Sequence, residues 1–169
     1  HGVLLQSGSS ITVGTGDIAI TGTARSTTSL YNSGVFIHQS TLTQTGVGGG
    51  AITITGSGNG VGSGNTGITL SRLSQISALG LGNISLEGTG GGTGARPGAN
   101  DGIRIEVNSG IRSVDGDITL NGTAGATGGK GINLLAGTVV AASGAGDLVL
   151  RGTGGQLGGN NTGISLIQT

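Results

Sequence analysis

Residues 116–135 read GDITLNGTAGATGGKGINLL, two short runs in which apolar and variable residues alternate, joined by a glycine-rich tract. Residues 146–166, GDLVLRGTGGQLGGNNTGISL, repeat the arrangement with most of the variable letters changed. In Ile118-Thr119-Leu120 every second residue is apolar. Successive side chains of an extended chain point to opposite sides, so this period marks a strand with one buried face. The Ile, Val and Thr content suits strands, and glycine at this density disfavours a helix.

Working outward, the whole chain carries the pattern. Glycine followed by a branched residue opens a run at Gly2-Val3, Gly34-Val35, Gly67-Ile68, Gly102-Ile103, Gly131-Ile132 and Gly163-Ile164, in steps of 32, 33, 35, 29 and 32 residues. A second landmark reads GDIAI at 16, GAITI at 50, GNISL at 82, GDITL at 116 and GDLVL at 146. Between them lies a weaker run centred on Ile11, Leu42, Ile76, Ile111 and Val139. The first-to-second spacing is 7 or 8 residues and the second-to-third 7 to 10, whereas the connection to the next first run stretches from 14 to 19. Three near-constant strands and one elastic connection per 29 to 35 residues predict an all-β, three-sheet parallel β-helix of about five coils. A right hand is expected from the general rule for parallel crossovers. Residues 1–169 form a single β-helical segment in this reading.

Stacked coils demand aliphatic side chains inside and little outside. The inward row of the first strand is Val3, Val35, Ile68, Ile103, Ile132 and Ile164, and its neighbours Leu4, Phe36, Thr69, Arg104, Asn133 and Ser165 are expected to face water. Asn32, Asn65, Asn100 and Asn161 precede the strand-opening glycine by two, with Gly129 breaking the series. Left-handed corners or an axial amide ladder would each explain them. Gly22, Gly56, Gly88, Gly122 and Gly152 follow the third strand as bends, each before a hydroxyl residue, and Leu30, Val61 and Leu157 are expected to tuck over the core.

Composition narrows the function classes. Glycine supplies 41 of 169 residues, but one proline and no Gly-X-Y period exclude collagen. Apolar residues at 33% against 8% charged argue for a packed chain rather than disorder. Seven basic residues balance seven acidic ones, and Tyr31 and Phe36 are the only Tyr, Phe or Trp residues, so nothing recommends nucleic acid. No apolar run is long enough to span a bilayer as a helix.

The text GDITLNGTAG…GINLL and its copies resemble the repeats of filamentous-haemagglutinin-like and autotransporter-like secreted β-helical exoproteins. The resemblance covers essentially the whole chain. That family's secretion domain carries an Asn-Pro-Asn-Gly-type motif, and none occurs here, where the sole proline is Pro97. The resemblance implies a piece of shaft from an extracellular, cell-surface fibre or adhesin, with host or environmental glycans as candidate partners. The chain starts and finishes in first strands without a helix or aromatic plug, so it is expected to be uncapped. Its partners are then further coils of a longer polypeptide or copies of itself stacked end to end.

Candidate chemistry is sparse. Asp117 and Asp147 occupy one slot on adjacent coils, an arrangement that could pair an acid with a base. Asp17, Ala51 and Asn83 fill that slot elsewhere, which favours a row of turn caps. Arg104, Glu106, Arg112, Asp115 and Asp117 concentrate charge on one coil and are read as a solvated, internally paired face. His1 and His38 belong to no repeated motif. The tract ending in Lys130-Gly131 lacks the residues of a phosphate loop. The sequons at Asn83, Asn121 and Asn160 are of the number chance allows, and the outward threonines of the third strand are too irregular for an ice-binding array. The sequence therefore points to no catalytic, cofactor-binding or metal-ligating residue, to no cofactor and to a non-enzymatic role. The alternative, a carbohydrate-binding or carbohydrate-cleaving β-helix, requires a groove of aromatics and acids along one sheet, which the sequence does not display.

Overall fold

A computed structural model describes residues 1–26, 31–92, 99–159 and 161–167. The first coil runs through β1 (Val3–Leu5), β2 (Ser10–Val13) and β3 (Ile18–Ser26), and the second through β4 (Val35–His38), β5 (Thr41–Gln44) and β6 (Ile52–Gly60). The third holds β7 (Ile68–Ser71), β8 (Gln75–Ala78) and β9 (Ile84–Thr89), and the fourth β10 (Ile103–Ile105), β11 (Gly110–Ser113) and β12 (Ile118–Thr123). The fifth holds β13 (Ile132–Leu134), β14 (Val139–Ala142) and β15 (Leu148–Thr153), after which β16 (Ile164–Leu166) opens another turn. Like strands of successive coils pair in parallel, giving one six-stranded and two five-stranded sheets. The chain is a β-solenoid of about five turns, all-β among the described residues.

Register follows the aliphatic rows. Val3 pairs with Val35, Val35 with Ile68, Ile68 with Ile103, Ile103 with Ile132 and Ile132 with Ile164. In the third sheet Ile18, Ile52, Ile84, Ile118 and Leu148 stack in the same way. These side chains fill a single core in which Ile37, Leu42, Ile54, Leu70, Ile76, Leu86, Ile105, Ile111 and Leu120 are wholly buried. Each such residue contributes roughly 1.5–3 kcal/mol of transfer free energy. A one-residue slip would turn the whole row outward, which is why the strands resist insertion.

The second sheet corrects one assignment. Ile111 pairs with Val140, not Val139, and Val140 packs on the core while Val139 is exposed. The Ile132-to-Val140 interval is then 8 residues, as in three of the other coils. The second coil is one residue shorter, and its first turn uses one left-handed residue, Gln39. The equivalent turns of the first, third and fourth coils use two, Ser7 and Gly8, Arg72 and Leu73, Val107 and Asn108, and that of the fifth uses Gly137.

The glycine columns exist for close approach rather than for bending. Gly22, Gly56, Gly88, Gly122 and Gly152 lie inside the third strands at ordinary backbone angles. A Cβ on any of them would collide with the carbonyl of the strand-opening glycine across the corner, Gly34, Gly67, Gly102, Gly131 or Gly163 respectively. The connecting tracts also stack backbone on backbone. Gly92 donates to the Gly60 carbonyl and Thr127 to that of Gly92, at 2.6 and 3.2 Å. Val61 and Leu157 consequently stay exposed instead of tucking over the core, because the tracts are occupied with one another. Leu30 lies outside the described residues.

Candidate functional site

Two rows of polar side chains join the coils. At the corner before the first sheet, Asn32 Nδ2 reaches Asn65 Oδ1 at 3.4 Å, Asn100 Oδ1 accepts the Asn65 backbone N–H at 3.0 Å, and Asn100 Nδ2 reaches Thr127 Oγ1 at 3.3 Å. None of the four corner asparagines adopts a positive φ, so the ladder and not the backbone angle accounts for Asn32, Asn65 and Asn100, whereas Asn161 Nδ2 donates within its own loop to Gly158 O at 2.9 Å. Gly129 interrupts the series at φ 138°, where a Cβ would run into the Asn100 backbone, and Thr127 takes over as the hydrogen-bonding partner.

The second row precedes the third sheet. Asp17 Oδ1 accepts the Ala51 N–H, Asn83 Oδ1 that of Asp117, and Asp117 Oδ1 that of Asp147, at 2.7, 2.8 and 2.8 Å. Asp17, Asn83 and Asp117 are thus caps spent on the backbone of the next coil and not, as turn caps would be, on their own. The sequon residue Asn83 is one of these caps; Asn160 lies outside the described residues.

The charged coil divides between sheets. Arg112, Asp115 and Asp117 are exposed, with Asp115 Oδ1 accepting the Ala145 N–H at 3.2 Å. Arg104 and Glu106 point from the first sheet, where Arg104 Nε donates to Glu106 Oε2 at 2.8 Å. The organising residue is one the sequence pattern did not single out. Asp101 is 1% exposed and accepts the Lys130 N–H at 2.8 Å and Asn133 Nδ2 at 2.9 Å, with Arg104 Nη1 at 3.6 Å. A buried carboxylate requires such pairing, since desolvation otherwise outweighs what it gains. Lys130 Nζ closes the cluster on Asn133 Oδ1 at 3.3 Å.

The same surface departs from expectation in a second way. Thr69 and Asn133, read as facing water, are buried, because residues of the preceding corner fold over the outer face of the first sheet. Ser33 Oγ meets Thr69 Oγ1 at 3.0 Å, and Asp101 holds Asn133. Beside this cover a cleft of about 370 Å³ opens, floored by Phe36, Thr69 and Arg104 and walled by Tyr31, Thr66 and Glu106. His1 and His38 flank Phe36, with ring centroids 4.7 and 5.6 Å away. The rings that the sequence leaves scattered are gathered here, since residues about 33 apart become neighbours across strands.

Each sheet finishes on strands bonded from one side only: β1 and β16, β2 and β14, β3 and β15. At the β14–β16 end Leu148, Ile164 and Leu166 are exposed although they continue the inward rows. Comparison with protein-family models, with curated proteins and with solved structures returned no match.

Proposed function

We propose that this chain is a structural shaft segment of a secreted cell-surface fibre or adhesin. The observation that carries the reading is the continuity of the ladders. Ile18 N–H donates to Ala51 O, Ile52 to Asn83, Ile84 to Asp117 and Ile118 to Asp147, each at 2.8 Å, and the aliphatic core runs alongside through every coil. Such a body is held by nearest-neighbour contacts between coils and gains length without needing a new core. Further coils of the same polypeptide or copies of the chain are the partners that this reading implies. The location rests on the resemblance of the GDITL-type repeats to secreted β-helical exoproteins.

Antibodies against the chain should decorate filaments projecting from intact producing cells. Labelling that appears only after lysis would overturn the surface assignment. Electron microscopy and diffraction of the isolated chain separate the modes of extension. Filaments with an axial repeat near 4.8 Å mean open ends on which copies stack, and a concentration-independent monomer means that the ends are closed and overturns the stacking.

A further inference from the structure

We propose that the cleft on the outer face of the first sheet is a binding site for a neutral disaccharide unit, with Phe36 as stacking platform and the Arg104–Glu106 pair as hydroxyl clamp. This goes beyond the shaft reading and stands or falls separately from it.

The cleft has the size of a small-ligand site, at about 370 Å³ against the 300–1,000 Å³ usual for such pockets. Its floor is a register row. Phe36 pairs with Thr69 and Thr69 with Arg104, so the Cα atoms of Phe36 and Arg104 stand two strand spacings apart, about 10 Å. That separation suits a ligand of two joined rings, one over Phe36 and one beside Arg104, with Thr69 between. Phe36 and the His1 and His38 rings beside it, 4.7 and 5.6 Å away by centroid, form a ring cluster whose apolar surface matches the C–H face of a pyranose.

The polar end presents a donor and an acceptor together. Arg104 uses Nε on Glu106 and has Nη groups to spare, since a guanidinium carries five N–H donors. Glu106 receives that bond on Oε2, which leaves Oε1 as an acceptor at the cleft. A donor beside an acceptor is what two neighbouring sugar hydroxyls require, and hydrogen bonds to charged groups are the stronger kind. Buried Asp101 anchors Arg104 from below, so the clamp is set before a ligand arrives.

Electrostatics select the class of sugar. Arg104 and Lys130 are balanced by Asp101 and Glu106 within the same network, leaving no surplus positive charge for a uronate or a sulfated sugar. The wall is also preformed. Tyr31 holds φ 62°, donates its N–H to Ser63 O at 3.1 Å and lies over Gly64, where a Cβ would meet the ring at 2.5 Å. A stacking side chain placed in this way costs little ordering on binding.

The chain supplies its own reporter. It has one tyrosine and no tryptophan, so its intrinsic emission comes from Tyr31, 74% exposed at the cleft mouth. The full chain is titrated with maltose, cellobiose, lactose and N,N′-diacetylchitobiose, with digalacturonate as the acidic arm, up to tens of millimolar. The expected result is a saturable change in Tyr31 emission with at least one neutral disaccharide, and NMR shifts centred on Phe36, Thr69, Arg104 and Glu106. Phe36→Ala and the near-isosteric Glu106→Gln should each weaken that binding tenfold or more without altering circular dichroism or Tm. No response to any neutral probe overturns the proposal, as does binding that survives both substitutions or binding of digalacturonate in preference to every neutral sugar.

Discussion

Asn65 donates its backbone N–H to the side-chain oxygen of Asn100, 3.0 Å away on the following coil, and both residues are completely buried. The amide of Asn100 thus substitutes for a backbone carbonyl where the chain turns a corner and the sheet ladder breaks. Asn100→Ala strands that N–H in a dry interior, so it should cost about 1–3 kcal/mol. Asn59→Ala, at an exposed outward position, should stay within about 0.5 kcal/mol. Urea unfolding of the two variants makes the comparison, and equal losses would remove the ladder from the account of stability.

The inward and outward rows are separable by charge. Ile118 is fully buried between Ile84 and Leu148, so Ile118→Asp should unfold the fourth coil at a cost of several kcal/mol. Thr119→Asp, on the opposite face, should cost about 1 kcal/mol or less. Thermal melts of both variants decide, and similar Tm shifts would contradict the register.

Glycine is required at some positions and incidental at others. Gly122→Ala places a methyl group against the Gly131 carbonyl across the corner and should destabilise by about 1–3 kcal/mol. Gly48 has open space around its Cβ position and no positive φ. Gly48→Ala should therefore be neutral or stabilise by about 0.4–1 kcal/mol, because it restricts the unfolded chain. Denaturant midpoints of the pair test this.

Length tolerance differs within the glycine tracts. From the sequence, the interval between Gly125 and Gly128 looks slack. It holds Thr127, buried, whose N–H and Oγ1 both donate to Gly92 O and whose Oγ1 also receives Asn100 Nδ2. Two residues inserted after Ala126 would break these three bonds, at about 1 kcal/mol each. The same insertion between Gly158 and Gly159, where a Cβ on Gly159 would meet nothing and the one side-chain bond spanned is the exposed Asn161 Nδ2 to Gly158 O, should cost about 1 kcal/mol or less. Matching Tm losses at the two sites would show that the tracts do not carry load.

Strand content, coil number and the inward residues of the first and third sheets were legible because they depend on a local period of two and on landmarks that recur at each coil. The second strand of the fifth coil was misplaced by one residue because Val139 and Val140 are both β-branched and apolar, and the period alone does not choose between them. That Asp117 acts as a cap was readable from the Asp and Asn residues in its slot, but that it caps the next coil rather than its own turn was not. The role of Asp101 was not, since Ser33, Thr66, Lys130 and Thr162 stand at its equivalents and suggest no shared chemistry.

By itself, the sequence determined that the chain coils, how many strands each coil carries and which side chains turn inward, since alternation and spacing are properties of the chain read in order. Only the tertiary structure decided which outward residues are covered, that Thr69 and Asn133 lie under the preceding corner, that the glycine columns face one another, and that Phe36, Arg104 and Glu106 share a cleft with Tyr31. Those relations join residues two to some seventy positions apart, and they are fixed by how closely one backbone can approach the next, which no period along the chain records.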